Sequence, residues 1–419
     1  MDEHPPLRYL RLKWKVFVRI LRVRIGVEPL TTVSLPITRS SPYSPPEEHL
    51  RLREEAPISR VTLPSGQEVW AVTRHADIRA VLTDSRFSSD RANPGFPLLH
   101  RQRADTKFRP SLVSMDPPKH GPARRAVLGE FTVKRMAALR PRIQQIVDEH
   151  LDAMLAGPKP ADLVPALSLP VPSLVICEML GVPYADHDFF QERSAKLLRH
   201  TTPRDELRQA LDELYDYLDD LIGRKEQEPG DDLLSRQLEK TKNRDELVSL
   251  GFLLLIAGHE TTANMISLGT VTLLEHPDAL AAIRDDPAKT PSAVEELLRY
   301  FTIAEFATSR VAVQNIDLAG VLIREGEGVI ALGNTANRDP KAFDNPNEFD
   351  IERGARHHVA FGFGAHQCLG QNLARLELQI VFDTLLRRVP GLRLAVPSDR
   401  LPYKDDANVY GLYELPVTW

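Results

Sequence analysis

Beyond a proline-rich opening at residues 40–49, SSPYSPPEEH, apolar positions recur mainly at intervals of three and four, in blocks separated by Pro-rich connectors. That spacing puts the apolar side chains of each block on one helical face, so the body reads as mostly helical. Strand-like patterning is confined to two places. Residues 69–84, VWAVTRHADIRAVLTD, predict a short strand and then a helix, and residues 309–332, SRVAVQNIDLAGVLIREGEGVIAL, predict short strands joined by glycine turns. The fold class is therefore mainly α with a minor β-rich region. The longest helical block runs from about Asp245 to His276 and stops at Pro277. At 1.5 Å per residue it covers on the order of 45 Å, enough to cross a domain. Its sequence is apolar on nearly every face, which demands burial among other helices, because a surface helix shows a polar stripe. The polar cluster AGHETT in its middle needs a reason.

A chain of 419 residues is long enough to bury roughly three quarters of the surface its unfolded form exposes. With a net charge of -5 it carries no basic field that points to nucleic acid. Its two cysteines, Cys177 and Cys368, lie too far apart for a small disulfide framework or a zinc cluster, so the compartment reads as reducing and cytoplasmic. No run reaches the roughly 18 uncharged apolar residues of a membrane span, and no signal-peptide core opens the chain. Residues 7–26, LRYLRLKWKVFVRILRVRIG, interleave basic residues with Leu10, Trp14, Phe17, Val18, Leu21 and Ile25 near helical spacing. This pattern suits contact with an anionic membrane surface, and its alternation also suits a strand or a loosely docked extension. Residues 1–34 are set apart as a basic N-terminal extension and 35–419 as a single domain.

The stretch FGFGAHQCLG, residues 361–370, places three glycines around Cys368, just before a helical run in which Leu369, Leu373, Leu376 and Ile380 share a face. Free backbone N–H groups at that helix start favour a thiolate, and the glycines let amides approach the sulfur. A single axial thiolate suits heme iron, whereas zinc needs three or four protein ligands. A structural turn remains the alternative for Cys368 taken alone, and Cys177, in LVICEML, reads as a small buried hydrophobe. A dinucleotide loop would need glycine at Gln367, and a zinc-protease H-E-x-x-H would need histidine at Ala263. Glu260 beside Thr261, next to a helix distortion near Gly258, makes a proton relay; the alternative is a threonine bonded back to the preceding turn and a glutamate capped by a neighbour. In EELLRY, Glu296 and Arg299 stand three apart, able to pair on one helical face.

In this order, AGHETT, EELLR, FDIER and FGFGAHQCLGQNLAR closely resemble the signatures of the cytochrome P450 superfamily, in its soluble bacterial, actinomycete-type form. The resemblance covers about residues 35–419. It implies the cytochrome P450 fold and a heme-thiolate monooxygenase with heme b (iron protoporphyrin IX), Cys368 being the proximal ligand and Phe361 and Gly362 part of the cysteine loop below the ring. It implies that Glu260 and Thr261 are the acid and alcohol that deliver protons during dioxygen activation. Glu296, Arg299 and Arg353 then form a buried charge network behind the loop. His120, Arg124, Arg310 and His366 match propionate-binding positions; Pro122 departs from the pattern by implying a helix start near it.

By family position, residues 91–113, Leu253, Ile256, Ala257, Phe306 and Val409 line a pocket for an apolar small-molecule substrate of secondary metabolism. The implied partners are a ferredoxin and its reductase, acting on a monomer. Two rival readings stay open: the same heme oxidant used for oxidative coupling or desaturation, and a non-catalytic heme-binding protein.

Overall fold

The computed structural model describes residues 33–35, 37–99, 109–241 and 243–419. The basic stretch 7–26 and the middle of the 91–113 loop lie outside the described residues. Nine helices position the site: α1 (His75–Thr83), α2 (His120–Leu128), α3 (Val133–Ala156), α4 (Pro170–Leu180), α5 (His187–Leu198), α6 (Arg204–Gln227), α7 (Arg244–Glu275), α8 (Thr290–Phe301) and α9 (Gln371–Arg388).

The 32-residue α7 is the spine. Its N-cap Asn243 accepts a hydrogen bond from the Glu246 amide, and Asp245 and Glu246 set negative charge against the positive end of the helix. Pro277 cannot continue it and opens the next helix instead. Helices α4, α6, α8 and α9 pack around α7, and α3 backs α9. The principal apolar core threads through these helices, which is what an all-round apolar α7 requires.

A six-stranded sheet has the order Val33–Ser34, Ile58–Thr62, Glu68–Val72, Gly328–Ala331, Ser309–Ala312 and Phe87–Ser88. Pairing is parallel at the first and third interfaces and antiparallel elsewhere. It takes in Val33 and Ser34, which sequence patterning assigned to the extension: Val33 is buried against this sheet and pairs with Val61. A second core under the sheet joins Val72, Val329 and Ala331 to Ile78, Val81 and Leu82 of α1. No helix among the described residues is long and apolar enough to cross a membrane.

Candidate active site

The cysteine loop is wedged between the two cores, Phe361 packing on the helical one and Phe363 on the one under the sheet. The Cys368 amide donates to the Phe361 carbonyl at 2.8 Å, and the Gly362 amide to Val359 at 2.9 Å. Gly364 has φ +71, and a Cβ there would stand 2.6 Å from the Leu82 carbonyl oxygen, so the close approach of α1 requires glycine. Burial raises the Cys368 thiol above its usual range. The amides of Gly370 and Gln371 at the start of α9, with the guanidiniums of Arg124 and Arg375, act against that rise by favouring the thiolate. Although enclosed by protein, Cys368 keeps accessible surface.

Behind the loop, α8 presents two adjacent glutamates to two different sets of cations. Arg299 donates to both Glu296 oxygens at 2.7 Å, to the carbonyls of Asn337 and Pro346 at 2.8 Å and to that of Glu348 at 3.1 Å. Arg353 reaches Glu296 at 3.2 Å, and all three side chains are nearly solvent-free. Glu295, which sequence reasoning passed over, pairs with Arg375 of α9 at 2.5 Å and lies 3.2 Å from His358. Burial would raise its carboxyl, but these two partners bring it down to about 2. Arg375 in turn covers the Phe361 ring, 4.6 Å from its centroid. The doubled glutamate was visible in the sequence; the partner 80 residues on was not.

His120, Arg124, Arg310 and His366 come together. Helix α2 starts at His120, with Pro122 inside its first turn, where a missing N–H costs nothing. The His120 and His366 rings stack at 4.0 Å, and His120 Nε2 is buried without a partner. Arg124 donates to the Gln367 carbonyl, and Arg310 to that of Ser309 at 2.7 Å. Among the described residues none of the four is ion-paired to a carboxylate. Asp116 offsets them in part, and it is already engaged by the Ser88 hydroxyl and, at 2.8 Å, the Ser89 amide. Burial and the charges of its neighbours push His366 down to about 4, and burial with Arg91 brings Arg310 to about 10. Arg91, another guanidinium felt by Arg310, joins this field. Such a gathering of guanidiniums without a carboxylate pair, beside imidazoles able to donate hydrogen bonds, calls for an anionic guest.

On α7, Leu253, Ala257 and Thr261 are spaced by four and share one face, and they are less buried than most of the helix around them. The helix is unbroken here, so the expected distortion at Gly258 is not found; Gly258 instead admits α4, since a Cβ would lie 2.9 Å from Ile176. Thr261 donates to the Ala257 carbonyl at 3.0 Å. Glu260 does not bond Thr261: it accepts from Lys404 at 2.6 Å and lies 3.4 Å from the Asn264 amide. Both arrangements match the structural alternative open to this pair in the sequence. Ile256 packs on the principal core, Val409 is buried in it, and Phe306 is half-buried against the cluster of Leu35, Val61 and Leu332.

The Cytochrome P450 family model matches residues 289–390, which hold the α8 glutamates and the cysteine loop. Pentalenic acid synthase of Streptomyces avermitilis is 54% identical, over 94% of this chain and 100% of its own. The chain belongs to the cytochrome P450 family. A second relative, 20-oxo-5-O-mycaminosyltylactone 23-monooxygenase of Streptomyces fradiae, is 42% identical over 93% of each chain. The crystal structure of cytochrome P450 MoxA from Nonomuraea recticatena superposes with a TM-score of 0.86 at 58% identity, covering 92% of this chain and 98% of that one. The fold is the cytochrome P450 fold, and the chain is a cytochrome P450 monooxygenase whose prosthetic group is heme b. The residues present fit that group: one amide-supported sulfur suits an axial iron ligand, and the cation cluster suits the two propionates. Among the described residues no cluster of three or more His, Cys, Asp or Glu offers an alternative metal site.

Proposed function

We propose that this P450 inserts oxygen into an apolar secondary metabolite, terpenoid or polyketide in skeleton, working as a cytoplasmic monomer that receives electrons from a ferredoxin and its reductase. The observation that carries the site assignment is the Cys368 sulfur facing the amides of Gly370 and Gln371, beside two guanidiniums and two imidazoles with no carboxylate pair of their own. In this reading Cys368 ligates iron, Phe361 and Gly362 shape the loop below the ring, and His120, Arg124, Arg310 and His366 hold the propionates. Bound heme b supplies the redox centre at which dioxygen is reduced, one atom entering the substrate and one leaving as water. Glu296, Arg299 and Arg353 brace the cysteine loop. Leu253, Ile256, Ala257, Phe306 and Val409 bound an apolar pocket that selects for size and shape and excludes water. Thr261, on the accessible face of α7, donates a proton from its hydroxyl, and Glu260 replenishes it from solvent. Support for the substrate class comes from relatives named for pentalenic acid and for a mycaminosyltylactone. The exposed guanidinium of Arg125 on α2 suits an acidic electron donor.

The test has two arms. The reduced holoprotein with carbon monoxide shows the red-shifted Soret band of thiolate ligation, and Cys368→Ser abolishes it; a band that survives the substitution overturns the ligand assignment. Candidate metabolites that displace iron-bound water shift the Soret band, and turnover of such hits under labelled dioxygen gives singly labelled product. Product free of label throughout turns the reading toward coupling or desaturation.

A further inference from the structure

Residues 403–412 form a hairpin, closed by an antiparallel bridge between Tyr403 and Leu412 and by the Lys404 amide on the Gly411 carbonyl at 2.9 Å. It lies against the middle of α7. A Cβ at Gly411 would stand 1.9 Å from Asn264 Oδ1 and 2.7 Å from Asn264 Cβ, so glycine makes room for the Asn264 side chain of α7. From this platform Lys404 Nζ reaches Glu260 Oε1 at 2.6 Å, and each side chain is only 12% exposed. The Tyr413 ring stands 5.4 Å from the ammonium. The hairpin also grips the end of α5: the Asn408 amide donates to Leu198 at 3.0 Å, the His200 amide to Asp406 at 2.8 Å, and His200 Nε2 lies 2.9 Å from Asn408 Oδ1.

Glu260 and Thr261 are successive on a helix and so point about 100° apart. Lys404 draws the carboxyl toward the hairpin, while Thr261 stays on the face it shares with Leu253 and Ala257. We propose that Lys404 is a positioning residue for the proton-relaying carboxyl: it holds Glu260 ionised at the hairpin, so that Glu260 can take up a solvent proton and give it up to Thr261. This rests on Glu260 being the proton relay. The step is balanced: the carboxylate takes one proton from bulk solvent, turns, passes it to the Thr261 hydroxyl as that hydroxyl hands its own to the dioxygen under reduction, and returns to Lys404 as an anion.

The groups facing Glu260 are few. Burial alone would raise its carboxyl; the Lys404 charge, His259 and the hydrogen bonds from Lys404 and Asn264 reverse this and hold it below the usual range. His259 is itself kept neutral by burial, with Nδ1 2.7 Å from the Leu255 carbonyl. Lys404 is therefore the fixed cation, and with a methionine in its place burial is opposed only by His259 and the Asn264 hydrogen bond.

Holoenzyme carrying Lys404→Met, Lys404→Arg or Glu260→Gln is compared with wild type by infrared spectroscopy and by product formed per NADPH consumed across pH. Lys404→Met gains a protonated-carboxyl band that Glu260→Gln removes from the double variant. Its coupling at neutral pH falls severalfold and recovers as pH rises, its acid limb displaced upward by about one unit or more. Lys404→Arg stays near wild type. A Lys404→Met enzyme with no new band, or with a loss uniform across pH, overturns the proposal and leaves Lys404 a staple of the hairpin. If Glu260→Gln couples as wild type while the band still appears, the relay role of Glu260 fails and the Lys404 contact stands.

Discussion

Arg299→Met is the sharpest probe of the frame behind the cysteine. The guanidinium is fully buried and makes five hydrogen bonds: two charge-assisted ones to Glu296 and three to the carbonyls of Asn337, Pro346 and Glu348. Methionine fills much of the same space, so the loss is electrostatic rather than volumetric. Removing one partner of a buried ion pair costs about 3–5 kcal/mol. Orphaned carbonyls add about 1–3 kcal/mol each before the segment relaxes. Glu296 keeps Arg353 at 3.2 Å and the Asp350 amide at 2.9 Å, which limits the sum. A net loss of about 5 kcal/mol is expected, comparable with the whole stability of many domains. Urea unfolding followed in parallel by far-ultraviolet circular dichroism and Soret absorbance measures it. Heme content per chain falls with the unfolding midpoint, and Arg299→Lys, a point charge with three donors in place of a planar fork, recovers only part. An Arg299→Met protein that takes up full heme and unfolds within about 1 kcal/mol of wild type refutes the account.

Gly364→Ala places a methyl group against the Leu82 carbonyl in a left-handed backbone conformation, and is expected to lower heme retention and stability by about 2 kcal/mol or more in chemical denaturation. Glu295 titrates near 2 in the folded state against about 4.5 in the unfolded chain, so its contribution is complete above about pH 4.5 and lost as pH falls toward 2; acid unfolding of wild type against Glu295→Gln should show up to about 3 kcal/mol lost across that window. Arg310→Met removes a buried cation assigned above to the propionates, and on that assignment should speed transfer of heme to apomyoglobin about tenfold or more while leaving the carbon monoxide band in place.

The strongest sequence signals were local. The extent of α7 was legible because Pro277 ends an apolar run too uniform for any surface, and the Glu296–Arg299 pair because three residues separate its members. The strands of 309–332 were legible from their glycine turns. What escaped was long-range. Lys404 sits in YKDDANVYGLY, a stretch singled out in the sequence only for Val409, and its carboxylate is 144 residues away. Glu295 likewise takes a cation from another helix, a choice that tertiary packing makes. Gly258 was read as a weakness in the helix, whereas it makes room for Ile176 of α4, because a sequence shows a missing side chain but not the neighbour that occupies the room.

On the assignment of the two imidazoles and two guanidiniums to the propionates, the fold has made its own completion contingent on a dianion it cannot synthesise. Porphyrin supply should then act on this chain as a folding input: in iron-starved cells the newly made protein is the more fragile population, and proteolysis will clear it before it ever competes for an electron donor.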